Sequence, residues 1–138
     1  MYPPDLTAPM AAELENAGLT SLKTAEAVDE VLQNKEGTTL LVVNSVCGCS
    51  ARSARPGVIQ SLAADVKPDR QVTVFAGVDI EATKKAREYL LPYPPSSPSI
   101  ALFKDGELVH MIERHVIERA NEDMIAQHLK AVYSDVCK

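Results

Sequence analysis

The chain has 138 residues, of which 46% are apolar and 24% charged, and it carries a formal net charge of −5. A chain of this size buries a core without disulfides or metal, so one domain over 1–138 is expected and any special cysteine role should be chemical. The acidic balance, with no clustered Lys/Arg excess, argues against nucleic-acid partners.

The opening Met1-Tyr2-Pro3-Pro4-Asp5 has no basic, apolar leader, and no window approaches the roughly 18 apolar residues of a membrane span. No membrane partner is expected, and a cytoplasmic location follows. Thiols there are kept reduced, which favours catalytic, redox-sensing or metal-binding cysteines over structural staples.

In chain order, Thr7 is placed to cap a helix carrying Met10, Leu14 and Ala17, and Gly18 to end it. A second helix is predicted from Thr24 to Gln33 with Val28, Val31 and Leu32 on one face. Residues 1–36 thus read as an N-terminal helical extension of a core at 37–138. After the polar break at 34–37, Thr39-Leu40-Leu41-Val42-Val43 reads as a strand covered on both faces. Val58, Ile59, Leu62, Ala63 and Val66 keep a helical period that stops near Pro68, with Pro56 bending that helix or defining its start. The run 71–78 is a second buried strand, and Asp79 is a cap for a helix from Glu81 to Leu90.

The proline-rich stretch 92–98 steers the chain into a strand at Ser99–Phe103, which Asp105-Gly106 joins as a hairpin to Glu107–Ile112. A last helix places Met124, Ile125, Leu129, Val132, Tyr133 and Val136 on one stripe, with His128 as a packed boundary residue. Glu113 to Glu118, with His115 inside it, reads as a salt-bridged connection, and His110 lies in the last strand. Cys137 reads as a surface residue of a frayed tail. The order predicts an α/β fold with a mixed four- or five-stranded sheet and helices on both faces.

The chemistry concentrates at Ser45-Val46-Cys47-Gly48-Cys49, at the carboxyl end of the first strand and the start of a helix. Sites in open α/β sheets collect there, and free N–H groups at a helix N-terminus favour thiolate. Cys47 is the candidate nucleophile and Cys49 its partner, with Arg52 and Arg55 as candidates for lowering the thiol pKa. One intervening residue allows only a constrained disulfide ring, which is easily reduced and suits exchange rather than cross-linking. Gly48 removes a side chain that would hinder the turn and an approaching substrate. The alternatives are zinc or copper ligation by the two thiolates, with Cys137 or a histidine completing the site, or a dormant site on an interaction domain.

Val43 to Cys49, Ala54-Arg55-Pro56-Gly57, Ser97-Pro98, Phe103-Lys104-Asp105-Gly106, Glu113-Arg114-His115 and the opening Tyr2-Pro3-Pro4 together resemble the bacilliredoxins over essentially the whole chain. That resemblance implies a thioredoxin-like fold, with Pro98 in the place of the cis-proline facing the active site and Ser97 beside it at the substrate. It implies a thiol-disulfide oxidoreductase that removes bacillithiol from protein mixed disulfides, with weak isomerase or reductase activity. Cys47 attacks, and Cys49 resolves or stands by. No metal or cofactor is implied beyond bacillithiol as thiol co-substrate. The implied partners are bacillithiolated or disulfide-bonded proteins and a bacillithiol-dependent reductase system.

Overall fold

The computed structural model describes residues 2–137. Helix α1 (Pro4–Asn16) leads into a two-residue strand β1 (Thr20–Ser21) and helix α2 (Ala25–Leu32), followed by β2 (Thr38–Asn44). A π-helical turn at Ser50–Ala54 runs directly into α3 (Arg55–Ser61). Then come β3 (Arg70–Phe75), α4 (Ile80–Tyr89), β4 (Ser99–Lys104), β5 (Glu107–Ile112), α5 (Arg114–Glu118) and α6 (Glu122–Val136).

The strands form one mixed sheet in the order β1-β3-β2-β4-β5, with β1, β3 and β2 parallel and β4 and β5 antiparallel to their neighbours. Every residue of the central β2 is buried, as its unbroken apolar run requires. Because side chains alternate, Leu40 and Val42 pack with Leu14, Val58, Ile125, Leu129 and Tyr133 on one face. Leu41 and Val43 pack on the other with Val28, Leu32, Ala82 and Ala86. At the hairpin, Asp105 and Gly106 both take positive φ, 53° and 86°, the pair of left-handed residues a two-residue turn needs. Gly57 lets α3 approach α6, since a Cβ there would lie 2.6 Å from Ile125 Cβ.

Several expectations are corrected. Helix α1 begins at Pro4 rather than at a Thr7 cap, because prolines suit a first turn whose N–H groups have no partner, and Thr7 lies buried inside it. The segment expected as a helical extension also holds a strand: β1 hydrogen-bonds to β3, and Leu14, Leu19, Leu22 and Val28 belong to the core. That two-residue strand is too short for any periodic signal.

At the other end, Met124 is exposed, being in the first turn of α6, where Asn121 Oδ1 caps the Met124 N–H at 2.8 Å. His128 is exposed too, and instead of packing it meets His110 Nε2 to Nε2 at 2.8 Å, bridging α6 to β5. Cys137 is half-buried against the core rather than in a frayed tail, and its N–H donates to Tyr133 O at 2.8 Å. The Arg114–Glu118 ion pair inside α5 is the salt-bridged connection expected there, with His115 exposed beside it.

Candidate active site

Cys47 follows the carboxyl end of β2, where the backbone turns helical at Gly48. Its carbonyl accepts from the N–H groups of Ser50 (3.0 Å) and Ala51 (3.3 Å), which makes Cys47 the residue that opens the helical run. Its Sγ accepts the Cys49 N–H at 3.4 Å, the bond a cap side chain makes to the first turn. The cap is therefore a sulfur, and a negative charge on it is stabilised by the Cys49 N–H and by the positive end of the helical run.

The two thiols are free and sit in unlike surroundings. Cys47 is half-exposed. Burial raises its pKa, but hydrogen bonds from the Cys49 thiol and the Cys49 and Ser50 backbone, with the Arg114 charge, outweigh it and leave the pKa below the ordinary 9.0. Cys49 is 4% exposed. Its burial, the proton it donates to Cys47 and the Cys47 charge all push its pKa up. Cys47 therefore ionises more readily than an ordinary thiol and Cys49 less readily.

The expected tuning residues stand elsewhere. Arg55 is 1% exposed and lies beneath the cysteine loop rather than beside the thiol. Its Nη1 donates to Asn44 Oδ1 (2.9 Å), Ser45 O (2.9 Å) and Ser50 Oγ (3.2 Å), and its Nε to Glu13 Oε2 on α1 (3.1 Å). The π turn explains this: Arg55 N–H bonds to Ser50 O, five residues back, and one extra residue per turn rotates everything after it by about 100°. Arg52 is exposed on that turn. The cation acting on Cys47 is Arg114 of α5, which sequence spacing did not single out. A basic residue inside an already recognised segment was its only signal.

Gly48 is exposed, has an ordinary φ, and a Cβ there would meet nothing within 4 Å. It leaves the approach to Cys47 open, but the turn itself does not demand a glycine. Val43 pairs with Ser99, which sets the Ser97–Pro98 segment alongside the residues after Asn44. The Ser97–Pro98 bond is cis, Pro98 is buried, and Ser97 O accepts from Arg114 Nη1 at 3.2 Å.

An open groove beside Cys47 is lined by Ser45, Ser97, Gly77, Arg87 and Arg114, with the Tyr2 ring along one side. Gly77 is required there: its φ is 84°, and a Cβ would lie 2.7 Å from the Tyr2 ring. Cys137 packs near Thr38 at the start of β2, the opposite end of the strand from Cys47. Seven strand residues separate those ends by roughly 20 Å, so Cys137 and Cys47 do not meet within one chain. Among the described residues no group of three or more His, Cys, Asp or Glu is gathered as a metal site, so zinc or copper at the pair would find only two protein ligands.

A family model described as disulphide isomerase matches residues 2–137. A bacilliredoxin of Cytophaga hutchinsonii is 62% identical over 99% of this chain and 100% of its own length. One of Halalkalibacterium halodurans is 50% identical over 99% and 95%. Among solved structures, thioredoxin O2 from Arabidopsis thaliana aligns with a TM-score of 0.59 at 16% identity, covering 89% of this chain and 97% of that one. Mitochondrial thioredoxin 3 from Saccharomyces cerevisiae aligns with a TM-score of 0.57 at 19% identity, covering 86% and 95%. At those identities the likeness establishes the thioredoxin fold alone.

Proposed function

The chain belongs to the bacilliredoxin family and is a thiol-disulfide oxidoreductase, and on that premise we propose that it removes bacillithiol from protein mixed disulfides at Cys47 and Cys49. The observation that carries this reading is the asymmetry of the pair. A half-exposed sulfur that accepts the Cys49 N–H faces a groove, and the second sulfur is buried behind it with its pKa pushed the other way.

The Cys47 thiolate attacks the bacillithiol sulfur of the mixed disulfide. A Cys47–bacillithiol bond forms, the substrate S–S bond breaks, and the protein leaves as thiolate and is protonated by solvent. The attack also prepares the next step. Two of the causes that hold Cys49 protonated are its hydrogen bond to Cys47 and the Cys47 charge, and both vanish once Cys47 is a neutral disulfide. The Arg114 charge, which favours ionised Cys49, remains. Cys49 then loses its proton to solvent and attacks Cys47 Sγ, breaking the Cys47–bacillithiol bond and forming a Cys47–Cys49 disulfide, and bacillithiol leaves as a thiolate that solvent protonates. Two electrons from a bacillithiol-dependent reductase system reopen it. The same exchange applied to other disulfide-bonded proteins accounts for weak isomerase or reductase activity.

The test is mass spectrometry of reduced protein mixed with a bacillithiol-modified substrate, for wild type, Cys47→Ser and Cys49→Ser. The expected result is freed substrate, with the bacillithiol mass on Cys47 accumulating when Cys49 is replaced. Substrate that stays modified, with no adduct on either cysteine, would overturn the proposal.

A further inference from the structure

The chain is acidic overall, yet the groove at Cys47 is lined by two guanidinium groups, Arg87 and Arg114, and by no carboxylate. The two arginines are not equivalent. Arg114 already has partners, its Nε on Glu118 and its Nη1 on Ser97 O. The Arg87 side chain makes neither an ion pair nor a hydrogen bond among the described residues, and its Nε is buried without a partner. A buried donor left unpaired costs free energy, and beside a groove a ligand acceptor is one way to satisfy it.

The groove does not end at Arg87. Gly77 and Arg87 also line an adjoining cleft with Ile80, Thr83, Lys84 and Pro95. Thr83 lies one turn before Arg87 on α4, is 3% exposed, and its Oγ1 is a second buried polar atom with no partner. Two orphaned polar groups on one helix face, with Lys84 beside them, point to a polar, anionic ligand extending from Cys47 toward α4.

We propose that Arg87 and Arg114, continued by Thr83 and Lys84, form an anion-binding subsite beside Cys47, so that the small thiol Cys47 takes from its substrate is one that carries carboxylate groups. This rests on the thiol-exchange reading of Cys47 and adds what selects the incoming sulfur. A mixed disulfide offers two sulfurs, and only attack on the small-thiol sulfur frees the protein. A subsite that seats the small thiol's carboxylates in the groove brings that sulfur to Cys47 and turns the protein sulfur outward as leaving group. Arg87 acts here as a specificity-determining residue rather than as a base or nucleophile.

The test uses two 2-pyridyl disulfide probes, of mercaptosuccinate with two carboxylates and of mercaptoethanol with none. Cys47 attacks the aliphatic sulfur, the S–S bond breaks, and pyridine-2-thione leaves with an absorbance change. Rates are divided by those of the same probes with dithiothreitol, which removes their intrinsic reactivity. Wild type should prefer the dicarboxylate probe by about tenfold, the scale of one charge-assisted hydrogen bond. The preference should collapse in 1 M salt, where the Debye length falls to about 3 Å. In Arg87→Gln the ratio should fall toward one, and in Arg87→Lys it should recover in part. The salt series needs no variant, so a misfolded substitution leaves the test intact. Equal corrected rates for both probes in wild type, or a ratio that Arg87→Gln leaves unchanged, would overturn the subsite while exchange at Cys47 still stands. No reaction of Cys47 with either probe would overturn both.

Discussion

Arg55 on α3 and Glu13 on α1 are joined by a 3.1 Å ion pair, Nε to Oε2, that runs beneath the loop carrying the cysteines. One guanidinium thereby ties the end of β2, the first residues of the helical run and α1 into a single unit. The two partners differ in exposure: 1% for the Arg55 side chain and 45% for Glu13. That difference separates what each contributes.

Replacing Arg55 by Ala should cost about 3–5 kcal/mol, because it removes three charge-assisted hydrogen bonds and leaves the buried Ser45 carbonyl, and one bond each of Asn44 and Ser50, uncompensated. Glu13→Gln should cost less, about 1 kcal/mol, since Glu13 is half-exposed and the glutamine oxygen can still accept from Arg55 Nε. Urea unfolding of the two variants against wild type measures the contrast. Equal costs would mean that the ion pair, rather than the hydrogen bonds under the loop, is what Arg55 supplies.

The pH profile of Cys47 should report its neighbours in order. Iodoacetamide alkylation of Cys47, followed by mass spectrometry, should titrate with a midpoint below the ordinary 9.0. Cys49→Ala removes the thiol hydrogen bond, the largest of the lowering influences, and should move the midpoint up. Arg114→Gln should move it up by less, its charge being the smallest of them. A midpoint above 9.0 in wild type, or a larger shift from Arg114→Gln, would contradict this account of the thiolate.

Alkaline stability should depend on Tyr133. Its hydroxyl lies 2.9 Å from Ser61 Oγ, and burial pushes its pKa up from 10.0 to about 12. A raised folded-state pKa contributes stability that is complete below the unfolded value and lost as pH rises through the folded one. Wild type should therefore lose on the order of 2–3 kcal/mol between pH 10 and 12, by chemical denaturation at stepped pH. Tyr133→Phe should lose markedly less over that window, starting from a stability lower by about 1 kcal/mol for the missing hydrogen bond. The same alkaline loss in both proteins would assign it elsewhere.

Elements whose signals are local are legible in the sequence. Thr39 to Val43 announce a doubly covered strand and Asp105-Gly106 a two-residue hairpin, and each is where its residues place it. Features set by an angle between elements are not. His128 shares a helical stripe with Val132, yet α6 is oriented so that this edge faces solvent and meets His110.

The amino-acid sequence by itself determined the order of the longer strands and helices, the single-residue spacing of Cys47 and Cys49, and the family to which the chain belongs, because periodicity, turn chemistry and spacing are properties of neighbours along the chain. Which charges surround Cys47 was decided only in three dimensions. Arg55 lies a few residues beyond Cys49 and is turned under the loop by one extra residue in a π turn. Arg87 and Arg114, distant in sequence and on different helices, are brought to the same groove. Electrostatic influence depends on distance through space and on burial, and neither can be read until α4 and α5 have been packed against the sheet edge where the cysteines sit.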